Sequence, residues 1–166
     1  MDLSYNQLQG RLPPEIGNCG TQGSGVYFMV EHNKISGPIP DVFGDGNFYI
    51  FYASHNQFTG GVPLSLAMVG GVDLSHNHLS ARKPFFGALK NSQFLDLSFN
   101  QLSGPLPENS GDFSNLKHMD LYNKLSGKVP QSVEWMPNLE YLDLSHNNFT
   151  GTVPSKRPSE LLVSSS

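Results

Sequence analysis

Apolar residues return along this chain at one spacing. In the stretch 137–154, PNLEYLDLSHNNFTGTVP, Leu139, Leu142 and Leu144 lie three and two residues apart, and Asn147, Phe149, Gly151, Val153 and Pro154 follow. In general form this is L-x-x-L-x-L-x-x-N-x-φ-x-G-x-φ-P, with φ apolar. The alternation Leu142-Asp143-Leu144-Ser145 predicts a short strand with one buried face, the leucines inward and Asp143 and Ser145 outward. The same anchor asparagine stands upstream at Asn6, Asn33, Asn56, Asn77, Asn100 and Asn123, with gaps of 27, 23, 21, 23, 23 and 24 residues. Repetition at this period predicts a solenoid of about seven coils over residues 1–154, because no coil can bury its leucines alone and stacked neighbours share one core. A short tail, 155–166, is polar at its end and is expected to be partly disordered.

The non-leucine positions read as turn chemistry. An asparagine amide can bond backbone groups of its own coil and of the next, so Asn6, Asn33, Asn56, Asn77, Asn100, Asn123 and Asn147 are expected to form a structural ladder. The glycine four residues after each, replaced by Ala81 in the fourth coil, permits a sharp turn, and the proline is expected to stop helix formation. Four places depart from the pattern. Met1 and Leu3 already occupy inward positions with no polar cap before them, so an open, self-associating edge is expected. The run GNCGTQGSG (17–25) lengthens the second coil as a surface loop, and Lys83 replaces an apolar residue before Pro84, with Phe85 and Phe86 as candidates to cover the gap. The sixth coil reads Asp120-Leu121-Tyr122-Asn123, one residue short, which predicts a kink there and a weakened ladder.

Composition narrows the function. A net charge of −4 argues against nucleic acid or an anionic membrane as partner, and no apolar run approaches the length of a membrane span. One cysteine, Cys19, excludes an internal disulfide and a multi-cysteine metal site. No nucleophile-elbow or zinc-protease motif occurs, so neither a catalytic group nor a cofactor is expected.

The outward strand positions carry the candidate chemistry. His32, His55, His76 and His146 follow the second inward residue of their coils, and neighbouring imidazoles would repel when charged, giving pH sensitivity near their ordinary pKa of about 6.5. Asp73, Asp96, Asp120 and Asp143 form an acidic column, with Asp2 at its start, that would suit a cationic ligand. Tyr27, Met29, Tyr52, Phe94 and Tyr141 add contact area suited to a protein interface. Asn148-Phe149-Thr150 is the sole N-x-S/T sequon and marks Asn148 as a glycosylation acceptor in a secreted chain.

The recurring S-x-N-x-L/F-S/T-G-x-φ-P resembles the plant-type leucine-rich repeats of receptor-kinase and receptor-like ectodomains, over about residues 1–154. The phrases IPDVF (39–43), GGVPLSLA (60–67), SGPLPEN (103–109) and GKVPQS (127–132) are most similar to phytosulfokine receptor ectodomains. The resemblance implies an α/β solenoid of short parallel β-strands, with loops and 3-10 turns on its convex side, wound as one curved right-handed coil. It also implies an extracellular or cell-surface recognition module, a fragment of a longer receptor that binds a peptide or protein on its concave face and works with a co-receptor. This sequence holds no kinase, no membrane span and no long island between coils, and its acidic column would repel a sulfated peptide. A second reading is a soluble inhibitor of a secreted wall-degrading hydrolase, which shares the repeat type. An ice-binding surface is a third, but Thr21, Thr59, Thr150 and Thr152 form no ladder in sequence.

Overall fold

The alternating strands stack as the repeat demands. The computed structural model describes residues 1–19, 25–44, 48–81, 91–108, 113–153 and 160–162. A seven-stranded parallel sheet takes one strand from each successive coil: Val26–Met29, Phe48–Tyr52, Gly71–Asp73, Phe94–Asp96, His118–Asp120, Tyr141–Asp143 and Glu160–Leu162. Asp2 bridges Met29 at one end. At the other, Glu160–Leu162 pair in parallel with Tyr141–Asp143, so part of the tail set apart as partly disordered extends the sheet. The segments after the asparagines form two further parallel sheets, of four and three strands.

Inward residues of these strands build a linear core. Phe51, Ala53 and Leu74 are wholly buried, whereas Met1 and Leu3, in the same positions of the first coil, are 58% and 37% exposed. The first coil is therefore open on its outer side, and a largely apolar hollow of about 460 Å³ lies there between Leu3, Leu8, Leu12 and Ile35.

Six glycines after the asparagines, among them Gly60 and Gly127 at φ of 80° and 84°, take the left-handed conformation that a β-carbon would strain. The prolines behave otherwise than expected. Pro13, Pro63 and Pro130 stand immediately before 3-10 helices at Pro14–Asn18, Leu64–Met68 and Gln131–Trp135. Their fixed φ, −69° to −74°, prepares a helical turn rather than preventing one. The expected packing of Lys83, Phe85 and Phe86 lies outside the described residues.

The asparagine ladder forms, reaching backward rather than forward. Asn77 Nδ2 donates to the carbonyls of Leu74 and Ser75 in its own coil and of Ala53 in the preceding one, while its Oδ1 accepts from the Phe58 N–H. Asn33, Asn56 and Asn100 repeat this pattern, and all four are buried. Each amide thus satisfies backbone groups that would otherwise be buried without partners. The Asn6 amide donates to the Leu3 and Ser4 carbonyls of its own coil, and Asn6 is exposed. Asn147 is half-buried but still bonds the Leu121 carbonyl.

Candidate functional site

The outward side chains fall in columns because the strands pair in strict register. Tyr27, Ile50, Gly71, Phe94, His118 and Tyr141 align as the first column. Met29, Tyr52, Asp73, Asp96, Asp120 and Asp143 align as the second. The strand-borne members of the predicted site therefore share one face, to which His118 and Ile50 are added.

The aspartates have a structural task. Oδ1 of Asp73, Asp96 and Asp143 accepts the N–H two residues on, from Ser75, Ser98 and Ser145, at 2.7–2.9 Å, and Asp120 accepts from Tyr122 at 3.1 Å. One oxygen closes each turn; the second oxygen of Asp143 accepts from the Tyr141 hydroxyl at 3.5 Å, and those of Asp73, Asp96 and Asp120 are left for the face. Burial pushes the Asp120 carboxyl up to about 6, with Asp96, Asp143 and Asp73 adding to the rise against the Tyr122 N–H. Asp96 is also raised, chiefly by burial. Packing four carboxylates along adjacent strands thus favours a proton or a cation among them.

The residue directly before each ladder asparagine carries a ring, and these rings stack. Tyr5, His32, His55, His76, Phe99, Tyr122 and His146 follow one another with centroids 4.1–4.3 Å apart and planes within 23°. Reading histidine alone found four rungs of this column and missed that Tyr5, Phe99 and Tyr122 complete it; the pair "aromatic-Asn" was the available signal. Six of the seven, all but Tyr122, have φ of 51–54°. Left-handed backbone at a bulky residue costs roughly 1–2 kcal/mol, which the ladder bonds and a stacking gain of about 0.5–1.5 kcal/mol per pair can offset. The His55 imidazole is held below its ordinary pKa by burial and then by His76 and His32, the repulsion expected for stacked cations.

The shortened sixth coil contradicts the expected kink but bears out the weaker ladder: Asn100 also bonds the Leu97 and Ser98 carbonyls of its own coil, and among the described residues Asn123 has no such own-coil bond. His118–Asp120 pair in register with both neighbours, Asn123 is 6% exposed, and its amide joins the Leu97 carbonyl and the Leu102 N–H at 2.8 and 3.1 Å. The deletion removes the left-handed residue. Tyr122 takes the serine's place in the backbone, accepting the Phe99 N–H as Ser98 accepts that of His76, while its ring still fills the stack. The turn absorbs the missing residue.

At its upstream end the face opens into a hollow of about 430 Å³ walled by Tyr27, Tyr49, Tyr52 and Phe94. The pairing shifts between Val26 and Tyr27, leaving Tyr49 as the extra residue of a bulge. Tyr49 stands 54% exposed, edge-on to Tyr27 at 5.5 Å, with its ring lying over Gly25 where no β-carbon could fit. Gly71 leaves the first column without a side chain, and the Tyr52 hydroxyl occupies the neighbourhood its β-carbon would have, 3.2 Å away. Downstream the first column closes again, with Phe94, His118 and Tyr141 stacked at 4.5 and 4.3 Å. Sequence reading missed Tyr49 because a bulge breaks the two-residue period on which the columns were counted. Among the described residues, no group of three or more His, Cys, Asp or Glu is arranged to hold a metal ion.

Comparison with known proteins gives a consistent picture. Leucine-rich repeat family models match residues 1–19 and 93–149. Receptor-like protein 41 of Arabidopsis thaliana is 35% identical over 95 residues, covering 55% of this chain and 11% of the relative. The ectodomain of the Arabidopsis receptor kinase HAESA, solved with an IDA peptide hormone ligand, superposes with a TM-score of 0.80 at 34% identity, covering 92% of this chain and 26% of that one. A plant ice-binding protein superposes with a TM-score of 0.77 at 29% identity, covering 99% of this chain and 57% of that one. The chain spans about a tenth of the length of the receptor-like relatives it matches.

Proposed function

We propose that this chain, a leucine-rich repeat solenoid of the plant receptor-ectodomain type, is an extracellular recognition module that binds a peptide or protein on the face of its seven-stranded sheet and carries out no chemistry itself. The observation supporting this is the division of labour within each coil. Asparagines, glycines and one oxygen of each aspartate satisfy the turns, which leaves the second oxygens of Asp73, Asp96 and Asp120 and two stacked ring series in register on the sheet face. Tyrosines and histidines fixed by stacking offer contact area at little further entropy cost. The HAESA structure holds a peptide hormone, which favours a peptide for this chain too, with a co-receptor as the second partner. No helix among the described residues is long and apolar enough to cross a membrane. Asn148 is exposed on the strand Asn148–Thr150, so a glycan there would be accommodated away from the recognition face.

The ice-binding reading, raised by the similarity to a plant ice-binding protein, needs threonines repeated on neighbouring strands. Thr59 pairs with Pro38 and His78, and Thr150 with Lys128. The recognition reading is therefore preferred.

Selection of a displayed peptide library on the chain tests it. The expected result is enriched peptides whose affinity falls at least tenfold with Tyr141→Ala or Asp96→Lys and is unchanged by Glu15→Ala on the opposite side. Equal loss from all three, or loss from Glu15→Ala alone, would refute the assignment of the face.

A further inference from the structure

The hollow at the bulge differs in kind from the rest of the face. Elsewhere the rings stack on each other and show only their edges; here Tyr27, Tyr49, Tyr52 and Phe94 surround open space. The residues that keep it open are specific. Gly71 withholds a side chain that would meet Tyr52 and Ile50, Gly25 gives room to the Tyr49 ring, and the bulge turns Tyr49 outward.

Two carboxylates, Asp73 and Glu31, stand beside it and both act on the Tyr52 hydroxyl. Asp73 lies in register beside Tyr52, and Glu31 takes the position that serine holds in the following coils. Oε2 of Glu31 is buried and has no hydrogen-bond partner. The charges acting on Glu31 are those of Asp73, Asp2 and His32, with no lysine or arginine among them. A cation brought beside Tyr52 offsets the mutual repulsion of these carboxylates.

We infer that this hollow receives a cationic side chain, an arginine or lysine, of the bound peptide, held among the four rings and neutralised by the neighbouring Asp73, with Glu31 adding to the negative potential. Aromatic faces attract a cation within about 6 Å of the ring centroid, and the Asp73 oxygen not bonded to Ser75 accepts one of its N–H groups. The inference rests on the proposed peptide-binding reading for the identity of the occupant, but the pocket chemistry can be tested without a peptide.

The test is an NMR titration of the whole chain with N-acetyl-arginine amide, against its neutral isostere N-acetyl-citrulline amide and against N-acetyl-tyrosine amide. The expected result is that the arginine probe shifts the signals of Tyr27, Tyr49 and Phe94, that citrulline binds about tenfold more weakly, and that Tyr141 does not respond. Tyr49→Ala, at an exposed position, and Asp73→Asn, which keeps the oxygen that accepts the Ser75 N–H, should each weaken binding about tenfold. Equal affinity for arginine and citrulline, tighter binding of the tyrosine probe, or shifts spread evenly down to Asp143 would overturn it. Library peptides that need Tyr141 and Asp96 but bind Tyr49→Ala undiminished would refute the inference and leave the recognition face intact. Arginine-probe binding without any peptide dependence on the face would do the reverse.

Discussion

The fifth and sixth coils are neighbours with the same strand register, yet one has a residue the other lacks. In the fifth, Leu97-Ser98-Phe99-Asn100 places a serine and then a left-handed phenylalanine before the asparagine; in the sixth, Leu121-Tyr122-Asn123 gives both tasks to one tyrosine of ordinary φ. The asparagine is buried in both, and the ring stack passes through both. What the solenoid holds constant is therefore the position of two groups, the amide and the ring. The backbone path between them is free to vary.

The sharpest way to break this comparison is to remove the amide from each coil. Asn100→Ala should cost about 3 kcal/mol, since four buried backbone groups lose their partner, and Asn123→Ala about half of that, since only the Leu97 carbonyl and the Leu102 N–H do. Denaturant unfolding should find Asn100→Ala the costlier by about 1 kcal/mol or somewhat more. A cost near zero for Asn123→Ala would mean that the short coil is held by something other than its ladder.

Glycine in the ring positions should separate the coils. Both Phe99→Gly and Tyr122→Gly lose stacking, but glycine relieves the left-handed strain at 99 and adds only chain entropy at 122. The second variant should be the less stable by about 1 kcal/mol or somewhat more. Equal costs would show that the left-handed backbone carries no strain.

The smallest effect concerns the carboxylates beneath the two turns, and it depends on pH. Asp120 has a folded pKa raised from 3.8 to about 6, so it favours the folded state below about pH 4 and loses that contribution as pH rises through 6. Asp120→Asn keeps an oxygen for the Tyr122 N–H. Its advantage over the parent should be absent at pH 4, grow towards pH 6 and level off at on the order of 1 kcal/mol once solvent screening is allowed for. Thermal melts of the two proteins from pH 4 to 7 would show this, and a constant difference across the range would contradict it.

Much of the fold was legible because the repeat states each residue's task several times over. Leu142 and Leu144 point inward for the same reason as Leu95 and Leu97, and one coil read correctly reads them all. The errors lie where repetition fails. A kink was expected at Asn123 because counting residues along a strand assumes the turn after it has fixed length, and the turn gave way instead. Tyr49 was overlooked because the bulge exists only in relation to the strand beside it, where Val26 and Tyr27 change partners.

By itself the sequence determined the period, the inward and outward sides of each strand and the asparagines that hold the coils, since these follow from hydrophobic burial and hydrogen-bond satisfaction within a single repeat. Only the stacking of one coil on another decided that seven rings share one column, that the aspartates each use an oxygen to close a turn, and that three tyrosines and a phenylalanine surround a hollow. Those features arise between coils about 4.8 Å apart, from side chains separated by twenty or more positions in the chain.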